Sequence, residues 1–133
     1  MNKERLNLLE NYIETGVAPL LVPNVPSNAF SNSVILKSNI DEKELNGHYE
    51  NVEFCPPAWY KELLEKSKSG YTILVIENIN DISKEEQNKF IEILKYKKIS
   101  TFELPKNCLI IVTCSDLNNK KISEEVYSLL AQI

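Results

Sequence analysis

The residues of this chain best suited to chemistry are few and scattered. Glu77 ends the run Thr72-Ile73-Leu74-Val75-Ile76, where a carboxylate could meet a divalent cation. Asp81 and Asp116 are the acids that could join it, yet none stands at a ligand-like spacing. A carboxylate at a strand end also caps loop amides, and that role, without a metal, is the expectation. His48 is the only histidine and follows Gly47 in an irregular stretch. The sequence points to no nucleophile or orienting acid for it, which favours a surface or packing role. Cys55, Cys108 and Cys114 form no C-x-x-C pair. Cys108 and Cys114 flank an apolar run and read as small buried groups, and Cys55 has no adjacent Lys, Arg or His to activate it. Lys95-Tyr96-Lys97-Lys98 and Lys120-Lys121 could grip a phosphate backbone. Cations equally suit a helix C-terminus.

Phosphate binding would leave a sharper mark. A phosphate-cradling loop needs glycines so that amides can curl around oxygens, a Lys for the terminal phosphates and a hydroxyl for Mg²⁺. The loop after Leu20-Leu21-Val22 reads Pro23-Asn24-Val25-Pro26-Ser27-Asn28-Ala29-Phe30. Against G-x-x-x-x-G-K-[ST], Pro23 and Asn28 take the glycine places, Ala29 the lysine place and Phe30 the hydroxyl place. Two prolines remove two amide donors and fix φ. A cradle of the usual kind cannot form here.

The elements that must position these residues alternate. Lys3–Glu14 has helical spacing through Leu6, Leu9 and Ile13, with Gly16 suited to close it. Pro19–Val22, Ser33–Lys37, Thr72–Ile76 and Cys108–Thr113 read as strands, the last two apolar enough to need cover on both faces. Asp41–Cys55 is irregular apart from the Asn46-Gly47 turn signal. Pro56-Pro57 introduces a helix over Ala58–Lys66. Ser83 and Glu86 form a capping box before a helix carrying Phe90, Ile91 and Leu94. Ile99–Leu104 is extended, and Ser123 opens a last helix with Val126, Leu129, Leu130 and Ile133 on one face. Strands alternating with helices predict an α/β fold with a mainly parallel sheet.

In this order, Leu20-Leu21-Val22, the loop behind it, Pro56–Leu63 (Pro-Pro-Ala-Trp-Tyr-Lys-Glu-Leu), Ile73–Leu94 with Glu86-Gln87-Asn88, and Leu104-Pro105-Lys106-Asn107 before Cys108–Thr113 resemble an AAA+ ATPase core of the MoxR-like kind. The resemblance covers about Glu4 to Ile133. It implies a three-layer, P-loop-NTPase-like parallel sheet of four strands in the order 1-4-3-2, with helices on both faces and no lid, as one domain over 1–133. Its fifth strand has no counterpart, so the first strand is expected at an exposed edge. It also assigns positions: degenerate Walker A at Pro23, Asn28, Ala29 and Phe30, Walker B at Glu77 and Asn78, sensor 1 at Ser115 beside Asp116, and the arginine finger at Gln132. Asn78 has no carboxylate to activate water and Gln132 carries no charge. Losing an arginine finger alone costs about 10³–10⁵ in rate.

These losses imply a catalytically inactive, pseudo-ATPase module without cofactor. It would act through protein contacts, with an AAA+ relative or with itself through an edge strand. The alternatives are a nucleotide-dependent enzyme with residual or repurposed activity around Glu77, Ser115 and Asp116, and a nucleic-acid-binding accessory protein. Composition limits the choice. The 133 residues are 43% hydrophobic and 26% charged, with a formal net charge of −4. That balance fits one globular domain and argues against coating nucleic acid or anionic lipid. Apolar runs are too short to span a bilayer, Met1–Glu10 is charged, and the odd cysteine count suits reduced thiols. A soluble, cytoplasmic protein is the expectation.

Overall fold

A computed structural model describes residues 19–115 and 121–132. Strands β1 (Leu20–Pro23) and β2 (Ser33–Lys37) form where the apolar runs place them. A short helix α1 (Glu42–Asn46) follows, and then a hairpin of β3 (His48–Glu50) and β4 (Glu53–Cys55). Helix α2 (Ala58–Ser67) leads into β5 (Thr72–Glu77). Helices α3 (Lys84–Gln87) and α4 (Ile91–Tyr96) are joined by a 3-10 turn at Asn88–Phe90. Strands β6 (Lys98–Ile99) and β7 (Phe102–Glu103) make a small hairpin ahead of β8 (Cys108–Cys114). Helix α5 (Glu124–Ser128) and strand β9 (Ala131–Gln132) complete the order.

The four expected strands lie parallel in the expected sequence, β2-β5-β8-β1, with β9 added beyond β1. Alternate residues of each strand serve two cores. On one face Val34, Leu36, Leu74, Ile76, Ile110 and Val112 meet Leu45, Trp59, Leu63, Ile93, Leu94 and Val126 from the helices. On the other, Leu20, Val22, Ile73, Val75, Leu109 and Ile111 meet Val25, Ala29 and Phe30.

The chain from β1 to β2 crosses this second face. β1 ends at Pro23, paired with Cys114, and β2 begins at Ser33, level with Ile73 and Leu109. The path covers three strand spacings, about 14 Å, and five residues of descent, about 16 Å, hence about 22 Å on the diagonal. Nine helical residues would advance only about 14 Å. The connection, 24 to 32, holds one 3-10 turn at Ser27–Ala29 between extended Pro26 and Phe30, with left-handed turns at Asn24 (φ 56°) and Asn32 (φ 51°). A helix of ordinary length cannot fit there.

Four expectations are corrected. The last helix stops at Ser128: Leu129 and Leu130 amides close 3-10 bonds to Val126 and Tyr127, and the Ala131 amide donates to the Pro19 carbonyl at 2.8 Å, drawing the chain into the sheet. The apolar spacing is met without a long helix, because Leu129 and Leu130 still pack on the core that buries Val126. In consequence the outer side of β1 is covered, Leu20 pairing Ala131 and Leu21 pairing Gln132; β1 is no exposed edge. Asp41–Cys55 is also more ordered than its sequence suggests. The Asp41 carboxylate caps α1 by accepting the Glu44 amide at 2.8 Å, and Gly47 turns the chain at φ 82° into β3. Ile99–Leu104 is a tight hairpin rather than one extended piece. The N-terminal helix expected over Lys3–Glu14, Gly16, Asp116, Lys120 and Ile133 lie outside the described residues. Among the described residues, no helix is long and apolar enough to cross a membrane.

Candidate functional site

In open α/β sheets ligands bind beyond the carboxyl ends of the strands. Here that place is formed by the loops after β1, β5 and β8. Pro23 is the half-buried last residue of β1. Asn24, at φ 56°, donates its amide to the Cys114 carbonyl at 2.9 Å. The Ala29 amide closes the 3-10 turn on the Pro26 carbonyl at 3.0 Å. Pro23 and Pro26 have no N–H, so half of the positions 23–30 offer no free amide to a phosphate. Asn28 is exposed, Ala29 packs partly on the second core, and Phe30 is 4% exposed within it. Phe30, which the resemblance sets at the place of a Mg²⁺-binding hydroxyl, is a core aromatic.

The other two loops are fastened to each other. Glu77, half-buried, ends β5 level with Lys37. Asn78 takes the left-handed conformation (φ 49°, ψ 63°), which Asn tolerates, and donates its amide to Thr113 Oγ1 at 2.9 Å. Asn80 clasps Ser115 twice: its Nδ2 donates to Ser115 Oγ at 2.9 Å, and its Oδ1 accepts the Ser115 amide at 3.1 Å. The structure thus brings together the Pro23–Asn24 turn, Asn78 and Ser115 at one end of the sheet. It does not bring Gln132 there. Gln132 lies in β9, level with Leu21 in the body of the sheet, and not near the end of a helix as expected.

The basic segment is partly structural. Lys97, at φ 53°, donates from Nζ to the Cys108 carbonyl at 3.2 Å, while the Lys95 and Lys98 ammoniums lie 5.4 and 5.7 Å from the Tyr96 ring centroid.

Sequence reasoning missed two polar centres. Asn80 carries no signal beyond its place in a polar loop. Gln87 did carry one: it stands at i of the stripe Gln87, Phe90, Ile91, Leu94, a polar residue on an apolar face. It is fully buried, donates from Nε2 to the carbonyls of Ile82 (3.1 Å) and Lys121 (2.8 Å), and accepts the Ser123 amide at 2.7 Å. It pins the chain entering α5 against α3.

A cleft of about 800 Å³ opens at the far edge of the sheet, lined by Ile35, Lys37, Ile40, Asp41, Pro56 and Trp59 among others. Trp59 is held there by its Nε1–H donating to the Leu45 carbonyl at 2.9 Å. The β2 edge beside it is blunted. The Asn32 carbonyl accepts the Ile73 amide, so strand alternation turns Ser33, Ile35 and Lys37 backbone groups outward. The Ser33 carbonyl accepts Lys66 Nζ at 2.7 Å and the Lys37 carbonyl accepts the Ile40 amide at 3.0 Å. The Ile35 N–H and C=O face the open side, and Ile35 is 39% exposed. Capping by a lysine is one way natural sheets protect an edge.

No protein-family model matches the chain, and no curated protein matches it. Among solved structures it is similar to NtrX from Brucella abortus, with a TM-score of 0.52 and 17% identity over 100% of this chain. The chain spans 36% of the length of NtrX. At that identity the likeness concerns the fold: a parallel sheet flanked by helices.

Proposed function

We propose that this chain is a catalytically inactive, AAA+-like module that works through contact with another protein. One observation carries the reading. The connection from β1 to β2 is a nine-residue strap whose Phe30 is buried in the sheet, where a nucleotide-binding relative needs a glycine turn followed by a helix. Helix and cradle go together, because the helix N-terminus supplies the aligned amides that hold phosphate. The Asn80–Ser115 clasp adds to this, since it engages the polar groups that a sensor would aim at a nucleotide.

The contact surface we assign is the cleft beside β2. It has an apolar floor in Ile35, Ile40, Pro56 and Trp59 and charges at Lys37 and Asp41. Buried aromatic anchors with a polar rim suit protein recognition. With the edge capped at Ser33 and Lys37, side-chain packing carries more of the contact than strand pairing.

Size-exclusion chromatography with light scattering tests this, on the chain alone and mixed with an active AAA+ ATPase of the same source. The expected result is a dimer or a mixed complex that Ile35→Glu abolishes. ATP hydrolysis by the wild-type chain that disappears in Glu77→Gln would overturn the reading in favour of an enzyme.

A further inference from the structure

The β3–β4 hairpin carries a second kind of chemistry, unrelated to nucleotide binding. Its register pairs His48 with Cys55, Tyr49 with Phe54 and Glu50 with Glu53. Directly opposed residues share a face of an antiparallel pair. One face is therefore aromatic: Tyr49 and Phe54 have ring centroids 5.2 Å apart, and Phe54 stacks at 5.3 Å on Phe102 of β7. This anchors the hairpin to the body of the protein. The opposite face consists of His48, Cys55, Glu50 and Glu53, four residues of metal-ligating type. His48, Glu50 and Glu53 are exposed and Cys55 is half-buried.

Gly47 makes that pairing possible. At φ 82° it turns the chain directly into β3, and a Cβ there would stand 2.5 Å from the Cys55 carbonyl oxygen. Only glycine permits an approach this close, and the approach sets His48 across from Cys55. His48 Nε2 lies 3.4 Å from a Glu50 carboxylate oxygen. One ligand atom each from His48, Glu50 and Cys55 lies within 4.8 Å of the others. A tetrahedral Zn²⁺ with bonds of about 2.0–2.3 Å holds its ligands about 3.3–3.8 Å apart. The side chains would close by about 1 Å, which exposed rotamers accommodate.

Charge points the same way. Glu50 and Glu53 face each other across the strands, an arrangement that is destabilising without a cation between or beside them. Imidazole and thiolate together favour Zn²⁺ over Mg²⁺ or Ca²⁺, which prefer all-oxygen sites.

We propose that His48, Glu50 and Cys55 form a transition-metal site of the Zn²⁺ class, with Glu53 or water as fourth ligand. The test uses the full chain, reduced, with Zn²⁺ measured by competition against a chromophoric chelator and Co²⁺ by absorption. The expected result is one equivalent per chain and a thiolate-to-Co²⁺ charge-transfer band in the near ultraviolet. Cys55→Ser should abolish that band. His48→Gln and Glu50→Gln, both exposed substitutions that leave the fold intact, should each weaken Zn²⁺ binding by about tenfold or more, at least the loss typical of outer-shell partners. Cys108→Ala should leave the band unchanged. Binding weaker than about 100 μM, which corresponds to only about 5.5 kcal/mol, would overturn the proposal. So would a Co²⁺ spectrum without the thiolate band, or affinities unchanged in all three ligand variants.

Discussion

The carboxyl end of the sheet and the β3–β4 hairpin both set polar residues at or beside strand ends, yet their polar groups are used in opposite ways. At the sheet end Asn24, Asn78 and Asn80 bond inward to Cys114, Thr113 and Ser115, so the loops that would receive a ligand bind each other instead. On the hairpin His48, Glu50 and Glu53 turn outward, with like charges left face to face. The loops at the usual ligand-binding end of a parallel sheet can be closed by their own side chains, while ligand-type residues gather where no motif marks them. Position in a fold does not by itself assign function.

Burial should separate the two regions most strongly. Phe30→Ala should cost about 3–5 kcal/mol, the range for a buried aromatic, whereas Val52→Ala at the hairpin tip, 93% exposed, should stay within about 0.5 kcal/mol. Urea unfolding of both variants measures the difference, and equal losses would break the comparison. Gln87→Ala comes next. It leaves two carbonyls and one amide without their partner, for a loss of about 2–4 kcal/mol in the same assay. Asn80→Ala removes two bonds at a half-buried position and should cost about 1 kcal/mol. A double-mutant cycle with Ser115→Ala isolates the clasp, and a coupling near zero would show that the loops are not fastened there.

The smallest effect on stability is none. Burial pushes the Cys108 thiol above its ordinary pKa, partly opposed by nearby polar and charged groups, Lys97 among them. At pH 8 Cys108 should stay protonated and resist alkylation, while half-buried Cys55 reacts. Peptide mass mapping after brief iodoacetamide treatment reads this directly. Zn²⁺ added beforehand should slow modification of Cys55 alone, which would sharpen the contrast.

Much of the sheet was legible. Ser33–Lys37 begins and ends where expected, and Thr72–Glu77 and Cys108–Cys114 extend their apolar runs by one residue, because a parallel strand buried on both faces leaves a continuous signature. The Ser83 cap was legible too, its hydroxyl accepting the Glu86 amide at 3.2 Å. The register between strands was not. That β9 closes the edge of β1 depends on a turn at Leu129–Leu130 that apolar spacing cannot distinguish from another helical turn. The hairpin escaped because three-residue strands are too short to show a period, and its ligand face exists only once His48 is set opposite Cys55. That Pro23–Phe30 has neither glycine nor lysine at the expected nucleotide positions could be read directly. That the connection has no room for a helix could not, because it follows from where β2 sits in the sheet.

The central claim is that the strap and the clasped loops leave no seat for a triphosphate. An NMR titration of the uniformly ¹⁵N-labelled chain with ATP·Mg²⁺ tests it most directly. The account predicts no saturable shifts in the amides of Asn24, Val25, Ser27–Phe30, Asn78 and Ser115. Saturable shifts confined to those amides, with a micromolar dissociation constant, would contradict it.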